Sequence, residues 1–229
     1  MGKKMQIDKK MPEHQAVYVA LRDQILLGQF APGQPMTIQG LAEILGTGMT
    51  PVREAIRRLT SENALKTLGN RRIIVPILTQ EQIDDIYFLR LKVEPELARR
   101  AIKNLTKKHV KHLYEIDQNV NTAINSGDIG TYLGYNNDFH FSIYSLANAP
   151  ILMRAVESLW LQIGPSLRVV CGRYGTASLP DKHLDLLQAL LDADADAAAS
   201  AIQEDLEQGI LLMTQSFEKN FDQNTGAVQ

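Results

Sequence analysis

The stretch Thr50 to Leu59, T-P-V-R-E-A-I-R-R-L, puts three arginines on a short segment that also carries an apolar stripe. Val52, Ala55, Ile56 and Leu59 recur at helical spacing and can pack on one side. Arg53, Arg57 and Arg58 project elsewhere. A guanidinium offers two parallel donors to guanine O6 and N7, so an early arginine on such a helix suits the major groove of DNA. Pro51 fits the first helical turn, where its missing N–H breaks no hydrogen bond, and Thr50 is the expected N-cap.

Such a helix needs a scaffold, and the flanking residues supply one. Ile38, Leu41, Ala42 and Leu45 form a second helical stripe with Thr37 as its N-cap. Gly46 to Met49 is a short turn, which gives helix, turn, helix. His14 to Leu27 reads as an earlier helix facing inward through Val17, Ala20, Leu21, Ile25 and Leu27, closed by Gly28 and a Pro32-Gly33 turn. After the arginine helix, Leu65–Leu68 and Ile73–Val75 read as short strands. Gly69-Asn70-Arg71-Arg72 joins them as a basic wing tip.

These residues carry a family resemblance. L-L-G-Q-F-A-P-G-Q (Leu26–Gln34), L-A-E-I-L-G (Leu41–Gly46) and T-P-V-R-E-A-I-R-R-L, in that order, resemble the N-terminal domain of GntR-family transcriptional regulators. The resemblance implies that double-stranded operator DNA is the partner. Arg53 is then the expected base reader, with Thr47, Thr50, Arg57, Asn70, Arg71 and Arg72 as groove or phosphate contacts. The chain departs from the family at Met49, where an arginine is common, and at Arg72, where the wing usually has a glycine.

Composition narrows the classes. The chain has 229 residues, enough for two small domains with proper cores. Its single cysteine, Cys171, excludes an internal disulfide, fits a reducing compartment and reads as a small buried residue. Lys3, Lys4, Lys9 and Lys10 have no apolar run behind them, and no stretch approaches the roughly 20 apolar residues that span a bilayer. A cytoplasmic protein without a membrane partner is expected. Residues 1–78 carry 11 Lys and Arg against 6 Asp and Glu, a balance of +5, and residues 79–229 carry 13 against 20, a balance of −7. That asymmetry fits a DNA reader (1–78) joined through Pro76-Ile77-Leu78 to a domain that avoids phosphate (79–229).

From Thr79 onward every recognisable segment is helical. Helices are expected at about 79–103, 106–125, 128–147, 150–170, 180–191 and 194–219, the first three capped by Thr79, Thr106 and Asp128. Gly172 to Leu179 reads as a loop. Phe88–Glu94, Asn136–Leu152 and Asp181–Leu190 resemble the FadR-type branch of the GntR family, whose ligand-binding FCD domain is an antiparallel helical bundle. The expected fold is therefore mainly α: an N-terminal winged helix-turn-helix followed by an all-α antiparallel bundle.

The branch often holds a metal in its bundle. Laid on this sequence, the pattern falls on Asn136, His140, His183 and Asp205, with two of its usual ligands replaced. Asn136 and His140 lie one helical turn apart on one face. Two imidazoles and a carboxylate suit zinc, nickel, manganese or iron. Arg90, in the family's Arg-spacer-Glu position, is the expected clamp for a small carboxylate effector, although a salt bridge to Glu94 is the plainer reading. Arg168, Arg173 and Tyr174 rank behind it. His109 and His112 sit among lysines and read as a solvated face. The favoured reading is a homodimeric DNA-binding regulator that senses a small organic acid, with a divalent metal. Two others stand beside it: a metal-dependent enzyme fused to a DNA-binding head, and an architectural DNA binder without a ligand.

Overall fold

The computed structural model describes residues 11–69, 72–174 and 182–225, with side chains described throughout except at 173–174 and 216–225. The chain divides into two compact units, Met1–Leu78 with Trp160–Ser166, and Thr79–Leu159 with Leu167–Gln229.

The first unit is built from α1 (Glu13–Leu26), β1 (Pro35–Met36), α2 (Ile38–Leu45), α3 (Met49–Ser61), β2 (Lys66–Thr67) and β3 (Ile73–Ile74). Its three short strands run in the order β1-β3-β2, all antiparallel. β1 was not legible in the sequence, because a two-residue strand at a proline carries no alternation to detect. Val17, Leu21 and Ile25 of α1 meet Leu41 and Leu45 of α2 and Val52, Ile56 and Leu59 of α3 in one apolar core. α2 starts as expected: the Thr37 side chain accepts from Gly40 N–H, and Gly46 ends the helix at φ 65°. A left-handed φ of that kind favours glycine.

The start of α3 corrects one expectation. The helix begins at Met49, with Gly48 as N-cap and no side-chain cap. Thr50 is therefore inside the first turn, not before it. Pro51 stays within the first turn, where no helical acceptor is lost.

The second unit contains α4 (Gln80–Ala101), α5 (Lys107–Ser126), α6 (Ile129–Tyr144), α7 (Pro150–Tyr174) apart from its Trp160–Ser166 segment, α8 (Lys182–Leu191) and α9 (Ala195–Thr225). Capping boxes at Thr79/Gln82 and Thr106/His109 start α4 and α5, and the Asp128 side chain starts α6. Short 3-10 turns, Ile102–Asn104 and Ser145–Ala147, follow α4 and α6. α7 runs past the expected stop at Val170, through Gly172 to Tyr174; the rest of the expected loop lies outside the described residues. Between α8 and α9, Ala193 takes φ 52°, and Asp194 Oδ1 accepts from the N–H groups of Asp196 and Ala197. α4 packs against α9 and α6, α5 against α6 and α8, and α8 against α9. No helix among the described residues is long and apolar enough to cross a membrane.

Candidate functional site

In the first unit, burying Val52, Ala55, Ile56 and Leu59 turns the opposite side of α3 outward, so Thr50, Arg53, Arg57 and Arg58 are exposed. The three arginines have different surroundings. Arg58 lies 3.6 Å above the Tyr18 ring and pairs with Glu62 at 3.1 Å, while the Tyr18 hydroxyl donates to the same carboxylate. It is a strut between α1 and α3. Arg57 pairs with Glu54 at 3.2 Å on the open surface. No carboxylate among the described residues holds Arg53. Thr47 donates from its hydroxyl to Glu13, and Met49 is 48% exposed on the same helix start. In the wing, Leu68 N–H donates to the Arg72 carbonyl at 2.8 Å, and Arg72 is exposed. Asn70 and Arg71 lie outside the described residues.

In the second unit, residues far apart in sequence form a buried polar centre. His140 (α6), His183 (α8) and Asp205 (α9) each bring one donor atom within 4.8 Å of the others. His140 is 1% exposed and its Nε2 faces Asp205 Oδ2 at 3.4 Å. Phe139 stacks on the His183 ring, with centroids 4.0 Å apart. Burial works to raise the Asp205 pKa, but the His140 hydrogen bond and the nearby His140, His183 and Arg90 outweigh it and hold the carboxyl below its ordinary range. Asn136 lies on the same helix, one turn before His140, and is half-buried.

The other ring nitrogen of each histidine is already engaged. His183 Nδ1 lies 3.0 Å from Asp117 Oδ1, and the second oxygen of Asp117 accepts from Asn121 Nδ2 at 3.1 Å. Asp117 is 1% exposed and can only accept as a carboxylate, so His183 Nδ1 carries the proton. His140 Nδ1 lies 3.1 Å from the Tyr144 hydroxyl, which itself donates to Glu94 Oε2 at 2.8 Å. With its one proton spent on Glu94, that hydroxyl accepts, and His140 Nδ1 is also protonated. With Nδ1 engaged in this way, Nε2 is on each ring the nitrogen left to take up a proton or a metal ion. The sequence reading missed Asp117, Tyr144 and Glu94 as members of this centre. Asp117 stands 66 residues from His183 and Glu94 stands 50 from Tyr144, so although the expected Arg90–Glu94 pair forms one turn apart, no local pattern ties these residues to the histidines' support.

Arg90 is 3% exposed and its guanidinium is hydrogen-bonded to Glu94 through Nε and, at 3.4 Å, through a terminal nitrogen. Burial alone would weaken the Arg90 charge; Glu94 outweighs burial and holds the guanidinium pKa above its ordinary value. Arg90, Glu94, Tyr144 and His140 thus form one continuous chain of contacts. His109 is the reciprocal cap of α5, accepting from Thr106 N–H at 3.2 Å, a role sharper than the solvated face expected of it. The side chains of Arg173 and Tyr174 lie outside the described residues.

A winged helix-turn-helix with an outward arginine, in one chain with a helical unit that encloses a polar centre, defines a DNA-binding transcriptional regulator with an effector domain. Residues 13–75 match the family described as bacterial regulatory proteins, gntR family, and residues 85–208 match the FCD domain. The chain belongs to the GntR family and carries an FCD domain. It is 32% identical to the HTH-type transcriptional regulator McbR of Escherichia coli K12, over 87% of this chain and 91% of that protein. It is 25% identical to the HTH-type transcriptional repressor RspR of the same organism, over 89% and 90%. The solved structure of E. coli McbR/YncC superposes with a TM-score of 0.85 at 30% identity, covering 90% of this chain and 99% of that one.

Proposed function

We propose that the bundle senses a small carboxylate through a divalent metal held by His140, His183 and Asp205, with Asn136 as a weak or water-mediated fourth partner, and that the protein acts as a homodimeric cytoplasmic regulator rather than an enzyme. The observation that carries this reading is the arrangement of the two imidazoles. Each gives its Nδ1 proton to a buried acceptor, which leaves Nε2 as the nitrogen to take up a cation, and that of His140 faces Asp205. A bare nitrogen 3.4 Å from a carboxylate oxygen needs a cation between them, either a proton or a metal ion. Three such donors leave coordination positions open on zinc, nickel, manganese or iron. A bound metal supplies positive charge for a carboxylate oxygen, and Arg90 supports the same acid by hydrogen bonding, sharing its guanidinium with Glu94.

At the DNA end, Arg53 reads a base in the major groove, because it is exposed near the start of α3 and no carboxylate among the described residues competes for it. Thr47, Thr50, Arg57, Asn70, Arg71 and Arg72 serve as groove and phosphate contacts. Two copies in a dimer present two α3 helices to half-sites about one DNA turn apart. The acid acts by favouring one arrangement of the two heads over the other. The McbR and RspR names, regulator and repressor, support sensing over turnover.

Elemental analysis of protein purified without chelator tests the metal. About one equivalent per chain is expected, falling to background in the His140→Ala, His183→Ala double variant. Unchanged metal content in that variant would place the ion elsewhere. Light scattering tests the dimer, with twice the 25.6 kDa chain mass expected.

A further inference from the structure

The polar centre has neighbours that its internal hydrogen bonds do not use. Tyr87 is 3% exposed, and its hydroxyl has no hydrogen-bond partner among the described residues. The buried side-chain nitrogen of Asn137 has none either. Buried donors of this kind are rare in folded proteins, and each calls for a further partner, whether a water, an ion or a ligand oxygen. Neither residue is placed at random. Tyr87 lies three and seven residues before Arg90 and Glu94, so it shares their face of α4. Asn137 lies three and seven residues before His140 and Tyr144 on α6.

Helical register puts each residue on the side of its helix that carries its polar-centre members, and α4 and α6 run alongside each other. The ends of α4 and α6 meet where Asn104 Nδ2 donates to the Leu146 carbonyl at 2.7 Å, and Glu94 meets Tyr144 within them. Stepping back one turn along either helix leads away from the polar centre in the same direction. α9 converges there too. Gly209 is one turn beyond Asp205, and a Cβ at Gly209 would lie 2.8 Å from the Tyr87 hydroxyl. Glycine inside a helix is destabilising, and here it lets the phenol reach the α9 backbone. Arg90 Cζ stands 5.3 Å from the Tyr87 ring centroid, which keeps the phenol beside the centre. Burial pushes the Tyr87 pKa up to about 12, so the hydroxyl remains a donor throughout the physiological range.

We infer that Tyr87 and Asn137 form a second polar subsite, one helical turn from His140 and Asp205, that receives an acceptor oxygen at the far end of the effector. This rests on the metal-and-carboxylate reading above and adds the class of acid. One turn is about 5.4 Å, so the effector carries oxygen at both ends of a chain of roughly four to six carbons, terminal carbons included. Simple monocarboxylates satisfy the metal end and leave both donors of the second subsite unpaired. A dicarboxylate satisfies both ends. Discrimination by unpaired buried donors is stronger than discrimination by apolar contact alone.

The test is calorimetric titration of the zinc-loaded full chain with matched pairs, succinate against butyrate and glutarate against valerate. Wild type is expected to bind a diacid about tenfold or more tightly than its monoacid partner. Tyr87→Phe and Asn137→Ala should each narrow that ratio about fivefold, near the worth of one hydrogen bond, with monoacid affinity unchanged. Metal-free Tyr87→Phe should melt no lower than wild type, since it removes only an unpaired hydroxyl. A diacid-to-monoacid ratio that stays the same in both variants overturns the subsite while leaving the carboxylate reading intact. A lowered melting temperature in Tyr87→Phe with an unchanged ratio shows that the hydroxyl serves the fold through a buried water. Failure of every acid to bind the zinc-loaded chain overturns the carboxylate reading and this inference with it.

Discussion

The Tyr144 hydroxyl has one proton to give, and Glu94 receives it, which leaves the oxygen to accept from His140. Asp117 does the same service for His183 by a shorter route. Removing either acceptor frees the imidazole to take the other tautomer and turn a protonated Nε2 toward the proposed metal position. Tyr144→Phe and Asp117→Asn should therefore each weaken zinc binding about 10- to 100-fold, with His140 and His183 still in place. Competition against a chromophoric chelator measures this, and affinity within twofold of wild type in both variants would remove these residues from the metal's support. Cys171 offers a separate readout, because it is the chain's one thiol and is 3% exposed. Burial pushes its pKa up from 9.0 to about 11. A raised pKa in the folded state means that the protonated thiol favours the fold below pH 9, and that this contribution is lost as the pH rises from about 9 toward about 11. Denaturant midpoints should fall across that window, and Cys171→Ala should flatten the part of the fall that the thiol causes.

On α3, charge alone does not separate one arginine from another. Arg58 is held between Tyr18 and Glu62, whereas Arg53 stands clear of any carboxylate among the described residues. Arg53→Ala should lose about 1–3 kcal/mol of specific operator affinity at unchanged melting temperature. Arg58→Ala should cost about 1 kcal/mol of stability, as an exposed cation-π and ion-pair contact does, with a smaller effect on operator choice. Fluorescence anisotropy and thermal melts on both variants give the comparison, and equal DNA losses would merge the two roles. The same helix shows where sequence reading works and where it stops. Thr37, Thr79, Thr106 and Asp128 were legible as caps because capping joins residues two or three apart. The helical stripes were legible for the same local reason. Thr50-Pro51 carried so strong a local signal that it hid the true start at Met49, which the Gly48 backbone permits without a side-chain cap. His140, His183 and Asp205 could be singled out only through the family's register. Their supporting residues could not, because Asp117 and Glu94 acquire meaning only when helices pack.

Across the whole molecule, opposite charge balances divide the chain's labour: +5 over residues 1–78 and −7 over residues 79–229. Operator binding should weaken steeply with salt, in proportion to the phosphates that the basic part neutralises. The polar centre has a different reach. It draws on α4 through Glu94, α5 through Asp117, α6 through His140 and Tyr144, α8 through His183 and α9 through Asp205. An ion bound there ties five helices at one point, so opening any of them requires its release. In hydrogen-exchange experiments, zinc should slow the amides of all five together, by one common factor set by free zinc over its dissociation constant. Protection gained by α8 and α9 alone would mean that the helices exchange independently. A common gain would make the bundle a single cooperative unit whose opening equilibrium the cell's metal supply controls.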